Sequence, residues 1–301
     1  MSAPTLTLAA QLLVTITVFA PVAAGAQAIE KTAMLDAIVT GPDGNAPPSL
    51  APAVLSLKIG GRQQTIRSVQ MVVPSAETPR YILLLVDEAT LYALEPIVKD
   101  ALATLLSSLK PTDLVSFAST RRAAARTEMT ARRQPVTAAV NAMVTGPGAL
   151  YPCQRDLTKV LATSAAGLPR GRSTSVVVIS RGHPEFTPTS EADDDPCAPR
   201  REDLRALEEA IAVAQVNLHL FTVSDAQRSW AFDTIAANVG ATSGLLTWAD
   251  HSALARTIQS TATYYRVTFD WNAPSVRAQR VELRSKDKSL KMRTSTWLRP
   301  N

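Results

Sequence analysis

Residues 82–94 read ILLLVDEATLYAL: five apolar residues run into Asp87, and the chain turns polar at once. Residues 176–185, VVVISRGHPE, repeat the shape, an apolar run that ends in a polar loop at Arg181. Short continuous apolar runs are the signature of strands buried on both faces, and these two read as neighbours in one sheet. Three more runs, DLVSFAS (113–119), NLHLFTV (217–223) and GLLTW (244–248), have the same character. Between them lie stretches with helical periodicity: 94–109, 135–144, 155–168, 201–216, 230–240 and 252–265. Strands alternating with amphipathic helices predict an α/β domain, a doubly wound and mostly parallel sheet flanked by helices on both faces.

The ends of the chain have a different pattern. AMLDAIVTG (33–41), AVLSLKIG (53–60) and QQTIRSVQMVV (63–73) are strands rich in β-branched residues, with Gly60-Gly61 suited to a tight hairpin. After residue 265 come RVTFDW, RAQRVELRSK and LKMRTSTWL. Their period of two places Val281 and Leu283 on one face and Arg280, Glu282, Arg284 and Lys286 on the other. Each group alone has too few strands to bury a face, so the N- and C-terminal strands are expected to meet as one small β module. The expected boundaries are 29–78 for the N-terminal strands, 79–265 for the α/β domain and 266–301 for the C-terminal strands.

Residues 1–28 hold no Lys, Arg, Asp or Glu and pass through LLVTITVFA to Pro21 and then Ala26-Gln27-Ala28, a small-x-small cleavage pattern. An export signal cut after Ala28 is the reading, with an uncleaved N-terminal anchor as the alternative; Pro21 and the short apolar run argue against a spanning helix. A secreted or periplasmic location follows, with no transmembrane span after cleavage. The chain has two cysteines, Cys153 and Cys197, and an oxidising compartment favours their pairing over two separate thiols. Of the net charge of +5, the segment from Arg266 onward carries nine Lys or Arg against Asp270, Glu282 and Asp287, so the remainder is nearly neutral. Those charges alternate with apolar residues as on the solvated face of a sheet. Stacking aromatics for single strands are sparse, so nucleic acid is not expected as a partner, while weak attraction to anionic envelope polymers is.

An aspartate closing the first central strand, then a long amphipathic helix and PTDLVSFAS, resembles the von Willebrand factor A-like domain, in its secreted bacterial form. The hairpin signals GPDGN and GGRQQTIRSV and the closing basic strands add to the likeness, which spans nearly all of the chain after residue 28. The resemblance implies a metal-ion-dependent adhesion site, spelled DxSxS after the first strand, with a Thr in a second loop and an Asp in a third. Here the first motif reads Asp87-Glu88-Ala89-Thr90-Leu91, so the aspartate stays while both serine positions are Ala89 and Leu91. The second loop reads Gly146-Pro147-Gly148-Ala149-Leu150-Tyr151, and Arg181 takes the place of the third-loop acid. Magnesium wants near-octahedral oxygen ligands and gives up its waters reluctantly, so neither a metal nor any other cofactor is expected; Glu88 and Thr90 are the substitute ligands if one binds.

The expected binding rim is therefore Asp87, Glu88, Thr90, Gly148, Arg181, His183 and Phe186. Arg181 is expected either to pair with Asp87 as a structural lock or to receive a carboxylate from a partner. A Cys153–Cys197 bridge would clip the second and third rim loops together; in the chain-entropy view, closing a loop of about 45 residues stabilises by roughly 4 kcal/mol.

For catalysis the sequence offers little. His219 sits inside a strand, His251 precedes a helix start at Ser252, and His183 beside Cys153 is the remaining candidate for a thiol-dependent enzyme. There is no GxxxxGK, GxGxxG, CxxC or HExxH. Trp230, Trp248, Trp271 and Trp297 fall in element starts or strands, where core tryptophans sit. The expected function is a non-catalytic protein-interaction module, with an unidentified protein of the cell envelope as partner. A scaffold component of an envelope assembly is the alternative.

Overall fold

The protein is described from a computed structural model that covers residues 31–87, 91, 94–120, 126–143, 154–171, 173–180, 200–223, 236, 239–271, 278–294 and 297–298. The expected export signal lies outside these residues, as does most of the stretch expected as a helix over 230–240.

Five strands build the central sheet: β5 (Tyr81–Val86), β6 (Leu114–Ser119), β7 (Thr174–Ser180), β8 (Asn217–Val223) and β9 (Thr242–Leu246). They lie in the order β6-β5-β7-β8-β9, and every pairing is parallel. Because side chains alternate across a strand, Ile82, Leu84 and Val86 face one way and Leu83 and Leu85 the other. The first set packs with α1 (Glu95–Ser108), α2 (Arg133–Asn141) and the helix Ala253–Ser260, here α5; the second packs with α3 (Gln154–Ala166) and α4 (Arg201–Ala214). Sheet and helices thus form the doubly wound, two-sided layer architecture that the alternating pattern predicts.

The terminal strands form antiparallel sheets. One has the order β12-β1-β10-β4, from β1 (Lys31–Thr40), β4 (Ile66–Val72), β10 (Tyr264–Trp271) and β12 (Lys291–Thr294). The other has the order β13-β11-β2-β3, from β2 (Leu55–Ile59), β3 (Arg62–Gln64), β11 (Gln279–Ser285) and β13 (Trp297–Leu298). Only Thr65 separates β3 from β4, so the chain passes from one sheet to the other within a single residue, and β12 and β13 likewise belong to different sheets. A shared core of Leu35, Leu57, Ile59, Tyr265, Phe269 and Leu283 fills the space between them. On β11, Val281 and Leu283 are buried while Arg280 and Arg284 are exposed, as the alternation predicts.

Several element limits differ from the sequence reading; β9, for one, spans Thr242–Leu246 where the strand GLLTW (244–248) is expected. The periodicity over 252–265 predicts a helix through Tyr265, yet α5 stops at Ser260. Thr261 turns its hydroxyl back onto the carbonyl of Ile258. Tyr264 and Tyr265 then open β10, where Tyr265 enters the core between the two antiparallel sheets and Tyr264 the opposite face. The continuous strand expected over 63–73 is broken, because residues on either side of Thr65 pair with different sheets.

At the N-terminal ends of the central strands, Arg80 and Asp113 form a buried pair. The guanidinium Nη2 donates to Asp113 Oδ2 at 2.6 Å and Nε donates to Oδ1 at 3.2 Å. Nη1 donates to the carbonyl of Ile258, which ties the first strand to α5. Asp113 also accepts the backbone N–H of Lys110. Sequence periodicity gave no sign of this pair.

Candidate functional site

In an open α/β sheet, ligand crevices lie beyond the C-terminal ends of strands where chain direction reverses across the sheet. That point here is β5, whose neighbours are β6 on one side and β7 on the other. Asp87 is the residue that follows β5. The ladder runs one step past the strand ends: Asp87 N–H donates to the carbonyl of Ile179 at 2.8 Å, and Thr120 N–H to the carbonyl of Val86 at 3.0 Å. Since Val86 is in register with Ser119 and Ile179, the next residues, Asp87, Thr120 and Ser180, stand side by side.

Their side chains converge. Thr120 Oγ1 donates to Asp87 Oδ1 at 2.8 Å, and Ser180 Oγ donates to Asp87 Oδ2 at 3.2 Å. Both carboxylate oxygens are therefore engaged, and the group is only 4% exposed. A buried carboxylate is costly unless hydrogen bonded, and here the neighbouring strand ends supply the donors. Thr120 and Ser180 were not singled out from sequence; the signal for them is that each stands one residue beyond the point where its strand lies level with Val86.

Leu91 stands where the resemblance places a serine, and it is fully buried. It belongs to the core with Ile97, Val98 and Val136. Its side chain is part of the packing beneath α1.

The other expected rim residues, Glu88, Thr90, Gly148, Arg181, His183 and Phe186, lie outside the described residues, and so do Cys153 and Cys197. Among the described residues there is no group of three or more His, Cys, Asp and Glu side chains able to hold a metal ion, and no helix is long and apolar enough to cross a membrane. Of the histidines, His219 is buried within β8, with Nδ1 2.7 Å from Thr242 Oγ1.

Trp248 corrects the reading of the tryptophans as core residues, for it is 58% exposed. It sits in the turn closed by a bridge between Thr247 and Asp250, and its ring meets His251 edge-on at 6.4 Å between centroids. Beside it, Arg256 grips Asp250 with Nη2 at 2.5 Å from Oδ2 and Nη1 at 3.1 Å from Oδ1, and also contacts Ser252 Oγ. The hydrogen bonds from Arg256, helped by Ser252, hold the Asp250 carboxyl down at about 2. Replacing Arg256 with Gln is expected to bring that carboxyl back toward its ordinary 3.8, read from a carbon-13 NMR pH titration of Asp250. A carboxyl that stays near 2 in the variant would assign the effect to Ser252 instead.

No family model and no curated protein sequence matches the chain. Among solved structures that are similar in shape are the following three. The von Willebrand factor type A protein from Catenulispora acidiphila has a TM-score of 0.45 at 10% identity, over 89% of this chain and 73% of that one. Proximal thread matrix protein 1 from the mussel byssus has 0.40 at 11% identity, over 64% and 49%. The PilB minor pilin from Streptococcus sanguinis has 0.37 at 10% identity, over 61% of each chain. All three scores lie under 0.5, so the fold described above stands on its own strand order and packing.

Proposed function

We propose that the chain is an exported, non-catalytic protein-interaction module of the von Willebrand factor A-like kind, acting in the periplasm or outside the cell, whose adhesion-type metal site has decayed. One observation carries the reading: the carboxylate at the switch point of the sheet is buried and spends both oxygens on the hydroxyls of Thr120 and Ser180. A general acid or base must reach its substrate's proton, and an adhesion-site aspartate must face a cation. The burial of Asp87 and its bonds to Thr120 and Ser180 support a structural role over either of these.

Magnesium fits these residues poorly. The described residues bring one carboxylate and two hydroxyls to the rim, and Leu91 closes the position where a further oxygen is needed. Partner contact then falls to the loops around the rim, with protein as the expected ligand class. The step from fold to binding is an analogy between folds.

The test is a thermal melt of the purified protein in EDTA, in Mg²⁺ and in Mn²⁺. An ion bound only by the folded state raises the midpoint by linkage. The expected result is one midpoint in all three conditions. A midpoint that climbs with either ion would mean that Asp87 coordinates a cation after all.

A further inference from the structure

The central sheet treats its two edges differently. Beyond β6, the segment Thr127–Thr130 covers the outer side: Thr127 N–H donates to the carbonyl of Phe117, and Val115 and Thr130 exchange both backbone hydrogen bonds. Beyond β9, no strand pairs among the described residues. An open edge is a template for another strand, and proteins that stay monomeric protect such edges with charge, proline or a cover. Residues 241–249, ATSGLLTWA, contain neither a charged residue nor a proline.

The same edge carries large apolar side chains in the open. Leu246 points inward and is fully buried, so the alternation turns Leu245 outward, where it is 45% exposed. Trp248, at 58%, lies three residues further on, its ring set against His251. An exposed tryptophan next to a strand edge with no partner among the described residues has the composition of an interface centre.

We propose that this edge joins two copies of the chain, with β9 of one copy running antiparallel to β9 of the other across a two-fold axis, so that two five-stranded sheets become one of ten strands. A second copy is the occupant for two reasons. A two-fold contact must be self-complementary, and an uncharged strip meets its own image without repulsion, while a net charge of +5 opposes self-contact over the charged faces. The area fits a reversible contact. An aromatic side chain buries about 150–250 Å² when fully covered, so two half-exposed tryptophans contribute about 150–250 Å² between them, and two leucines and two strand backbones add to this, which places the contact among the small, reversible interfaces.

Sedimentation equilibrium of the purified protein over about 1 to 100 µM tests this. The mass should rise with concentration toward twice 32.2 kDa. Leu245→Lys and Trp248→Ser should each weaken self-association by about tenfold or more, and together abolish it. Both side chains are exposed, so the melting temperature should hold. Met71→Lys, at the exposed end of β4, should leave association unchanged. A chain that stays monomeric throughout, as when the edge takes a strand from another protein, overturns the proposal. So does an oligomer that survives the double variant, whose contact must then lie on another surface.

Discussion

Arg80→Met should destabilise the protein by about 3–5 kcal/mol, the usual effect of stripping one partner from a buried ion pair. The guanidinium and carboxylate are 4% and 0% exposed, so removing Arg80 leaves Asp113 with neither solvent nor a counter-charge at that distance. Arg133 donates to the carbonyls of Asp113 and Lys110, not to the carboxylate. The loss reaches further than the pair, since Arg80 also ties β5 to the last turns of α5 through the carbonyl of Ile258. Asp113→Asn should cost less, because an amide oxygen can still accept the Lys110 N–H. The double variant Arg80→Met, Asp113→Asn should recover part of the loss, as no charge is then stranded. Urea unfolding curves of the four proteins, read as a double-mutant cycle, check this. Equal losses in the single and double variants would mean that the pair contributes through packing and the Ile258 contact alone.

What the sequence makes legible follows its periodicities. Runs such as ILLLV and VVVIS can be buried on both faces only in a covered sheet, and the structure has them as the adjacent strands β5 and β7. The alternation in QRVELRS sorts Val281 and Leu283 inward without any knowledge of partners. Features that depend on register between distant strands were not legible. Nothing in the sequence around Thr120 and Ser180 shows that both stand level with Asp87, because that depends on pairings across separations of 33 and 93 residues. The Arg80–Asp113 pair was missed for the same reason. Trp248 departs from the expectation because residue type favours burial, whereas its place in the turn after the last strand of the sheet leaves it exposed.

Leu91→Ser, the substitution that would place a serine where the resemblance to the adhesion motif expects one, should cost about 3–5 kcal/mol and create no metal site. Truncating a buried leucine to alanine typically costs about 2–5 kcal/mol through lost transfer energy and the cavity left behind. Serine adds a hydroxyl that must be buried or find a partner. Leu91 is fully buried and packs in the cluster that includes Ile97, Val98 and Val136, so the cavity would open beneath the first turns of α1. The carbonyl of Leu91 also accepts the N–H of Leu94 in the turn leading into that helix, so a shift at 91 is felt at the helix start. Leu91→Ala is the reference. The serine variant should have a lower urea midpoint than the alanine variant, and Mg²⁺ should move neither. If Mg²⁺ instead raises the midpoint of Leu91→Ser selectively, then the hydroxyl reaches an ion beside Asp87, and the leucine had been masking a site that the rest of the rim still supports.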